Sequence, residues 1–175
     1  MTFQEIVDTA PHIIKRKLEQ LKFLRERPDF HPEPSCFEHI RIVTERLMQT
    51  GDPDLIMTGL FHDICKFDTV RMSAKTGFPT SPGHDDAAFW LITDNNQIQE
   101  FCVQHGANPN MVALLCKNHM RFHQLGDMRE SKREAQIAAW KSGCIWDKLQ
   151  FMGAADNMLE DFDVNNIHKS FKFNR

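Results

Sequence analysis

Helix starts are written repeatedly into this chain, and they steer it towards an α-helical fold. A capping box joins a side chain that accepts a free backbone N–H to a Glu three residues on. Thr2 with Glu5, Ser35 with Glu38 and Ser131 with Glu134 all fit that pattern. Asp52-Pro53 and Asn108-Pro109 place a capping side chain before a proline at the first helical position, where its missing N–H is no loss. Apolar residues then recur at helical spacing: Ile14, Leu18, Leu21 and Leu24, up to a stop at Pro28; Ile40, Val43 and Leu47; Val112 and Leu115, with His119 and His123 beyond. Pro11 can open or kink the helix that follows it. A helix is expected from near Gly83, carrying Asp85, Asp86, Phe89 and Trp90, and a last long one over 145–161. Strand signals are scarce. "DTVRMSAKTGFPTSPG" reads as a long polar loop and "RPDFHPEPS" as a rigid, Pro-rich connector. The expectation is an all-α bundle of about six or seven helices, one domain over 1–175. Its core would span 35–161, with a helical extension over 1–34 and a basic, aromatic tail over 162–175.

The bulk numbers exclude several classes. A length of 175 residues suits one domain with one sizeable core. A net charge of −3 argues against an extensive nucleic-acid-binding face, while leaving room for a small phosphate pocket. The first thirty residues are charged throughout, so no signal peptide is expected, and no apolar stretch nears the roughly 20 residues of a membrane span. The five cysteines are odd in number, scattered and without a C-x-x-C pair, which speaks against a disulfide framework or a thiolate zinc site. A reducing, cytoplasmic setting is the expectation. Oligomeric state stays open.

Tyr is absent and there are nine His. Their placement matters more than their number. "GLFHDICKF" sets His62 and Asp63 in an otherwise apolar run, where both are costly to bury unless something neutralises or ligates them. His39 lies one turn into a helix, beside Ile40 and Val43. His84 stands at the start of another. His119 and His123, four apart, share a helical face. Asp156 sits among small and apolar residues in "FMGAADNML". Any one of these alone reads as well as a core histidine or a solvated acid. The ordered set on a helical chain points to a divalent transition metal. Imidazole with carboxylate suits Mn, Fe, Co, Ni or Zn better than Ca, with Mg possible. Lys66, four residues after His62, faces the same way if the helix continues. Arg121 points off the His119–His123 face.

The set resembles the HD superfamily of metal-dependent phosphohydrolases, and within it the C-terminal HD domain of bacterial tRNA nucleotidyltransferases. The likeness rests on "FEHIRIV", "TGLFHDICKF", "PGHDDAA", "NHMRFH" and "AADNMLED", in order from about Ser35 to Asp161. It departs at Cys65, where a glycine is usual, and at Ala87-Ala88. Only 34 residues precede Ser35, so the likeness does not imply CCA addition. It does imply one or two divalent ions. His39, His62, Asp63 and Asp156 would hold the first, and Asp63 would bridge to a second on His84 and His119. His123 would be an additional ligand or a phosphate contact. Asp63 and Lys66 would be catalytic, with Arg71 and Lys75 as substrate contacts from the loop. The implied reaction is hydrolysis of a nucleotide or RNA end, of the 2′,3′-cyclic phosphate or 2′-phosphate type, by water that the metal activates. Two alternatives remain beside it: a deoxynucleotide or cyclic (oligo)nucleotide phosphohydrolase, and a non-catalytic, metal-stabilised binding module.

Overall fold

The structure is a computed structural model that describes residues 1–25, 33–157, 162–165 and 167. Most of the proline-rich connector, the stop at Pro28, residues 158–161 of the expected last helix and most of the tail lie outside the described residues. The chain is all-α apart from one small hairpin. Its elements run α1 (Phe3–Thr9), α2 (His12–Leu21), α3 (Cys36–Met48), α4 (Pro53–Phe61), α5 (Lys66–Thr69), β1 (Arg71–Met72), β2 (Pro79–Thr80), α6 (His84–Thr93), α7 (Asn96–Gln104), α8 (Pro109–His123), a 3-10 turn (Gln124–Asp127), α9 (Glu130–Ser142) and α10 (Trp146–Asp156).

Most expected caps are formed. Thr2 and Glu5 complete a reciprocal box, Ser35 Oγ accepts the Glu38 N–H at 3.3 Å, and Asp52 and Asn108 each cap a helix with Pro at its start. Among the described residues there are ten α-helices where six or seven are expected. Pro11 ends one helix and caps the next, so the N-terminal extension is α1 plus α2. α2 stops at Leu21, although Leu24 is still buried beyond it. α7 has no counterpart in the expectation; Asn95 caps it through the Ile98 N–H at 3.2 Å. α9 begins at Glu130 with no side-chain cap, which puts Ser131 inside the helix rather than at its cap. The polar loop after α5 contains the antiparallel pair β1–β2, Arg71 opposite Thr80 and Met72 opposite Pro79. Ser73 N–H to Phe78 O, 3.0 Å, closes that hairpin.

Two glycines let the helices around the later site approach closely. A Cβ on Gly59 of α4 would lie 2.9 Å from the Thr44 Cα of α3, so a side chain there would force the two helices apart. A Cβ on Gly153 of α10 would lie 2.2 Å from the Phe122 ring of α8. Phe122 also packs near Trp140 and Trp146, whose rings stack at 6.2 Å. Lys148 of α10 is paired with Asp52 and Asp54 at the start of α4, and Asp54 accepts the Asn108 N–H at 2.7 Å. The starts of α4 and α8 are thereby joined. Among the described residues, no helix is long and apolar enough to cross a membrane.

Candidate metal centre

α4 is buried from Leu55 to Phe61 and ends there, so the next residues leave the helix inside the protein rather than at its surface. His62 is fully buried and Asp63 is 1% exposed. Around them stand His39 from α3, His84 from the first turn of α6, His119 from α8 and Asp156 from the end of α10. Asp63 is the centre of the arrangement. Its Oδ2 lies 3.3 Å from His62 Nε2 and 3.6 Å from His39 Nε2. Its Oδ1 lies 3.1 Å from His84 Nε2 and 3.7 Å from His119 Nε2. Asp156 Oδ1 reaches His39 Nε2 at 2.9 Å and His62 Nε2 at 3.6 Å.

The other ring nitrogens fix which atom each imidazole offers. His62 Nδ1 donates to Gly59 O at 2.8 Å, His84 Nδ1 to Ser81 O at 2.6 Å, and His119 Nδ1 to Cys116 O at 2.5 Å. His39 differs, because its Nδ1 donates to a carboxylate, Glu33 Oε1, at 3.1 Å. All four rings therefore turn Nε2 inward, with Nδ1–H held by a partner behind it, the usual support of a ligating histidine.

The electrostatics divide the cluster. Burial pulls the His39 pKa down, but hydrogen bonds to Asp156 and Glu33 outweigh it and raise the value to about 9. Burial also opposes a charge on His62, yet the fields of Asp63 and Asp156 raise it to about 10. His119 goes the other way: its burial lowers the pKa. Burial disfavours the charged form of Asp63, but His62 and Lys66 hold its carboxyl well below the ordinary range. His123 and His62 do the same for Asp156 against its own burial.

Several observations fit a cation here. His39, His62 and Asp63 each offer a ligand atom within 4.8 Å of the others, and so do Asp63, His84 and His119. Among the described residues Asp63 Oδ1 has no hydrogen-bond partner, and the close cation at Oδ2 is the Lys66 ammonium, 2.8 Å away. The Nε2 atoms face each other in pairs, at 3.4 Å for His39–His62 and 3.2 Å for His84–His119. Neutral imidazoles with Nδ1 protonated would point lone pairs at each other in those places. A positive charge between them removes the conflict. Each triad can therefore bind a metal ion.

The structure brings all six expected ligands together and revises one other expectation, the helix through Lys66. Lys66 does not continue the helix of His62, since α4 stops at Phe61; it opens α5, and its Nζ lies 2.8 Å from Asp63 Oδ2. His123 turns its Nε2 to Asp156 Oδ2 at 2.6 Å, as a partner of that carboxylate outside both triads. Arg71 and Lys75 are exposed on the hairpin, and neither side chain makes a hydrogen bond or ion pair among the described residues. Arg121 binds Gln136 Oε1 at 2.6 Å. Glu33, buried behind His39, has no counterpart in the expectation. An acid between two prolines, before a helix cap, carries no periodic signal. Comparison with protein-family models, with curated proteins and with solved structures finds no match for this chain.

Proposed function

We propose that this chain is a metal-dependent phosphohydrolase of the HD type. Its substrate would be a phosphorylated nucleotide or RNA end, of the 2′,3′-cyclic phosphate or 2′-phosphate kind. One observation carries the reading: Asp63 turns one oxygen to each of two histidine pairs, with the Lys66 ammonium beside it. His39, His62, Asp63 and Asp156 would hold one divalent transition-metal ion, and Asp63, His84 and His119 a second. When bound, such ions supply Lewis acidity towards a phosphoryl oxygen and make water acidic enough to act as a nucleophile near neutral pH.

The chain's own residues do the rest. Burial of His39, His62, Asp63, His84 and His119 lowers the local dielectric, which strengthens each charge interaction with an anionic substrate. Asp156 is oriented from behind by His123, so its other oxygen stays on the His39–His62 pair. Lys66 is the cation at hand to offset negative charge developing on the phosphoryl group. A reducing, cytoplasmic setting accords with this reading, because all five cysteines are free thiols.

The test is metal analysis of the purified protein, repeated after reconstitution with Mn, Co, Ni and Zn. Turnover is then measured on 2′,3′-cyclic nucleotides, on 2′-, 3′- and 5′-nucleotides, and on deoxynucleotides. One or two equivalents of metal, with opening of the 2′,3′-cyclic substrates to the monophosphate or release of phosphate from the 2′-nucleotides, is the expected result. Preference for deoxynucleotide triphosphates would redirect the substrate assignment. Metal without turnover on any of them would favour a binding module, and no metal at all would overturn the reading.

A further inference from the structure

We propose that Lys17, through its ion pair with Asp68, is a positioning residue that holds α5 in place and so keeps Lys66 on Asp63. α5 is a single turn of four residues, and Cys65 before it makes no side-chain cap bond. A turn this short does not hold itself, because nucleation fixes several dihedrals for one hydrogen bond. The segment's own bonds are local: Lys66 N–H to Asp63 O at 3.0 Å, Asp68 N–H to Cys65 O at 3.1 Å, and Thr69 Oγ1 to Cys65 O at 3.3 Å. Beyond its packing against α6, α5 has a charged support from outside in Lys17. It shares the buried face of α2 with Ile14, Leu18 and Leu21, and it is the charged member of that face. Its side chain is 10% exposed and its Nζ is paired with Asp68 Oδ2, two residues beyond Lys66. A lysine is rarely buried to this degree unless its ammonium is paired. Its stem packs among apolar neighbours while the charge is delivered to α5. The Asp68 side chain is 43% exposed, so water already solvates part of that carboxylate. Loss of Lys17 therefore strands no buried charge. Its main effect falls on where α5 sits.

The consequence for turnover rests on the phosphohydrolase reading; the placement of Lys66 does not. The test has one arm for each. A brief acetic anhydride pulse on the full chain, read by mass spectrometry, reports how protected each lysine is. Lys17→Met should raise labelling of Lys66 about tenfold, the scale of losing one charge-assisted hydrogen bond, while the exposed Lys132 and Lys141 stay as in the unaltered protein. Lys17→Arg should restore protection. In the second arm Lys17→Met should lower kcat by about tenfold with KM and metal content unchanged, and should cost nothing further in a Lys66→Met background.

Unchanged Lys66 labelling overturns the proposal. So does a rise shared by all lysines, or an equal kcat loss with and without Lys66, since either means general loosening. If Lys17→Met does not fold, Asp68→Asn breaks the same pair from its exposed side and is read in the same way. Increased Lys66 labelling in a protein that turns over none of the phosphate esters upholds the positioning role and sinks the phosphohydrolase reading instead.

Discussion

The half of the centre built on His39 and His62 has three carboxylates in reach, Glu33, Asp63 and Asp156, whereas the His84–His119 half has the shared Asp63. Both halves are buried and both are made of two imidazoles, so their difference is one of charge rather than shape. Surplus negative charge lifts His39 and His62 to pKa values of about 9 and 10. Without it, burial wins at His119 and the pKa falls. Without metal, the first half keeps protons as its counter-charge. An ion entering the first half would therefore compete with the protons of His39 and His62, whereas burial already disfavours a proton on His119 in the second.

Removing what the halves share should have the largest effect. Asp63→Ala is expected to leave neither ion bound and to abolish hydrolysis, while circular dichroism stays helical. Metal retained at one equivalent, or a tenth of the original activity, would show that Asp63 does not bridge. Next come the substitutions that separate the halves. His84→Ala should retain one equivalent of metal, and His39→Ala should lose the ion of its own half. A His84→Ala metal content equal to that of the unaltered protein, with none left in His39→Ala, would break the comparison, because it would mean a single ion.

Acidity should separate the halves further. A metal entering the first half must displace protons held with pKa values of about 9 and 10, so its affinity should rise with pH from neutrality towards that range. The limit is two protons displaced, about a hundredfold per pH unit. The second half should show less change over the same span, as burial already disfavours a proton on His119. Titration of the chain with Co from pH 7 to 9, followed by absorbance, would show one affinity rising more steeply than the other. In the metal-free protein the sign reverses. His39 and His62 have folded pKa values above the unfolded one, so their contribution to stability is complete below about 6.5 and is lost as pH rises through 9 to 10. Urea midpoints of the metal-free protein across that range check it. The smallest expected effect is that of Glu33→Gln, which should weaken the first ion about tenfold, as for other supports behind a ligating histidine, and leave the second untouched. Calorimetry with one ion at a time would read both.

The ordered histidines and aspartates are legible in the sequence because each lies where the apolar pattern marks an inner face: His39 with Ile40 and Val43, His119 four residues after Leu115. The helix starts at Thr2, Ser35, Asp52 and Asn108 are legible because capping is a local event between residues two or three apart. α7 is absent from the expectation although Asn95 offers the same cap signal and Ile98, Phe101 and Cys102 recur at helical spacing. α9 starts before Ser131 without any side-chain cap. Glu33 is not legible at all, because nothing local ties an acid in a proline-rich stretch to a ring six residues later.

By itself, then, the sequence determined the helical class, most helix starts and the six candidate ligands, because caps and apolar periodicity act over a few residues. It could not decide which residues meet across the interior. That His123 meets Asp156 depends on α10 lying against α8, with Gly153 at the contact. That Lys66 meets Asp63 depends on α4 ending at Phe61 and the chain turning back inside the core. The unequal charge of the two halves depends on Glu33 and Asp156 arriving from opposite ends of the described chain at one ring, His39. Coulomb energy depends on distance in space and on local dielectric, and both exist only once the helices are packed.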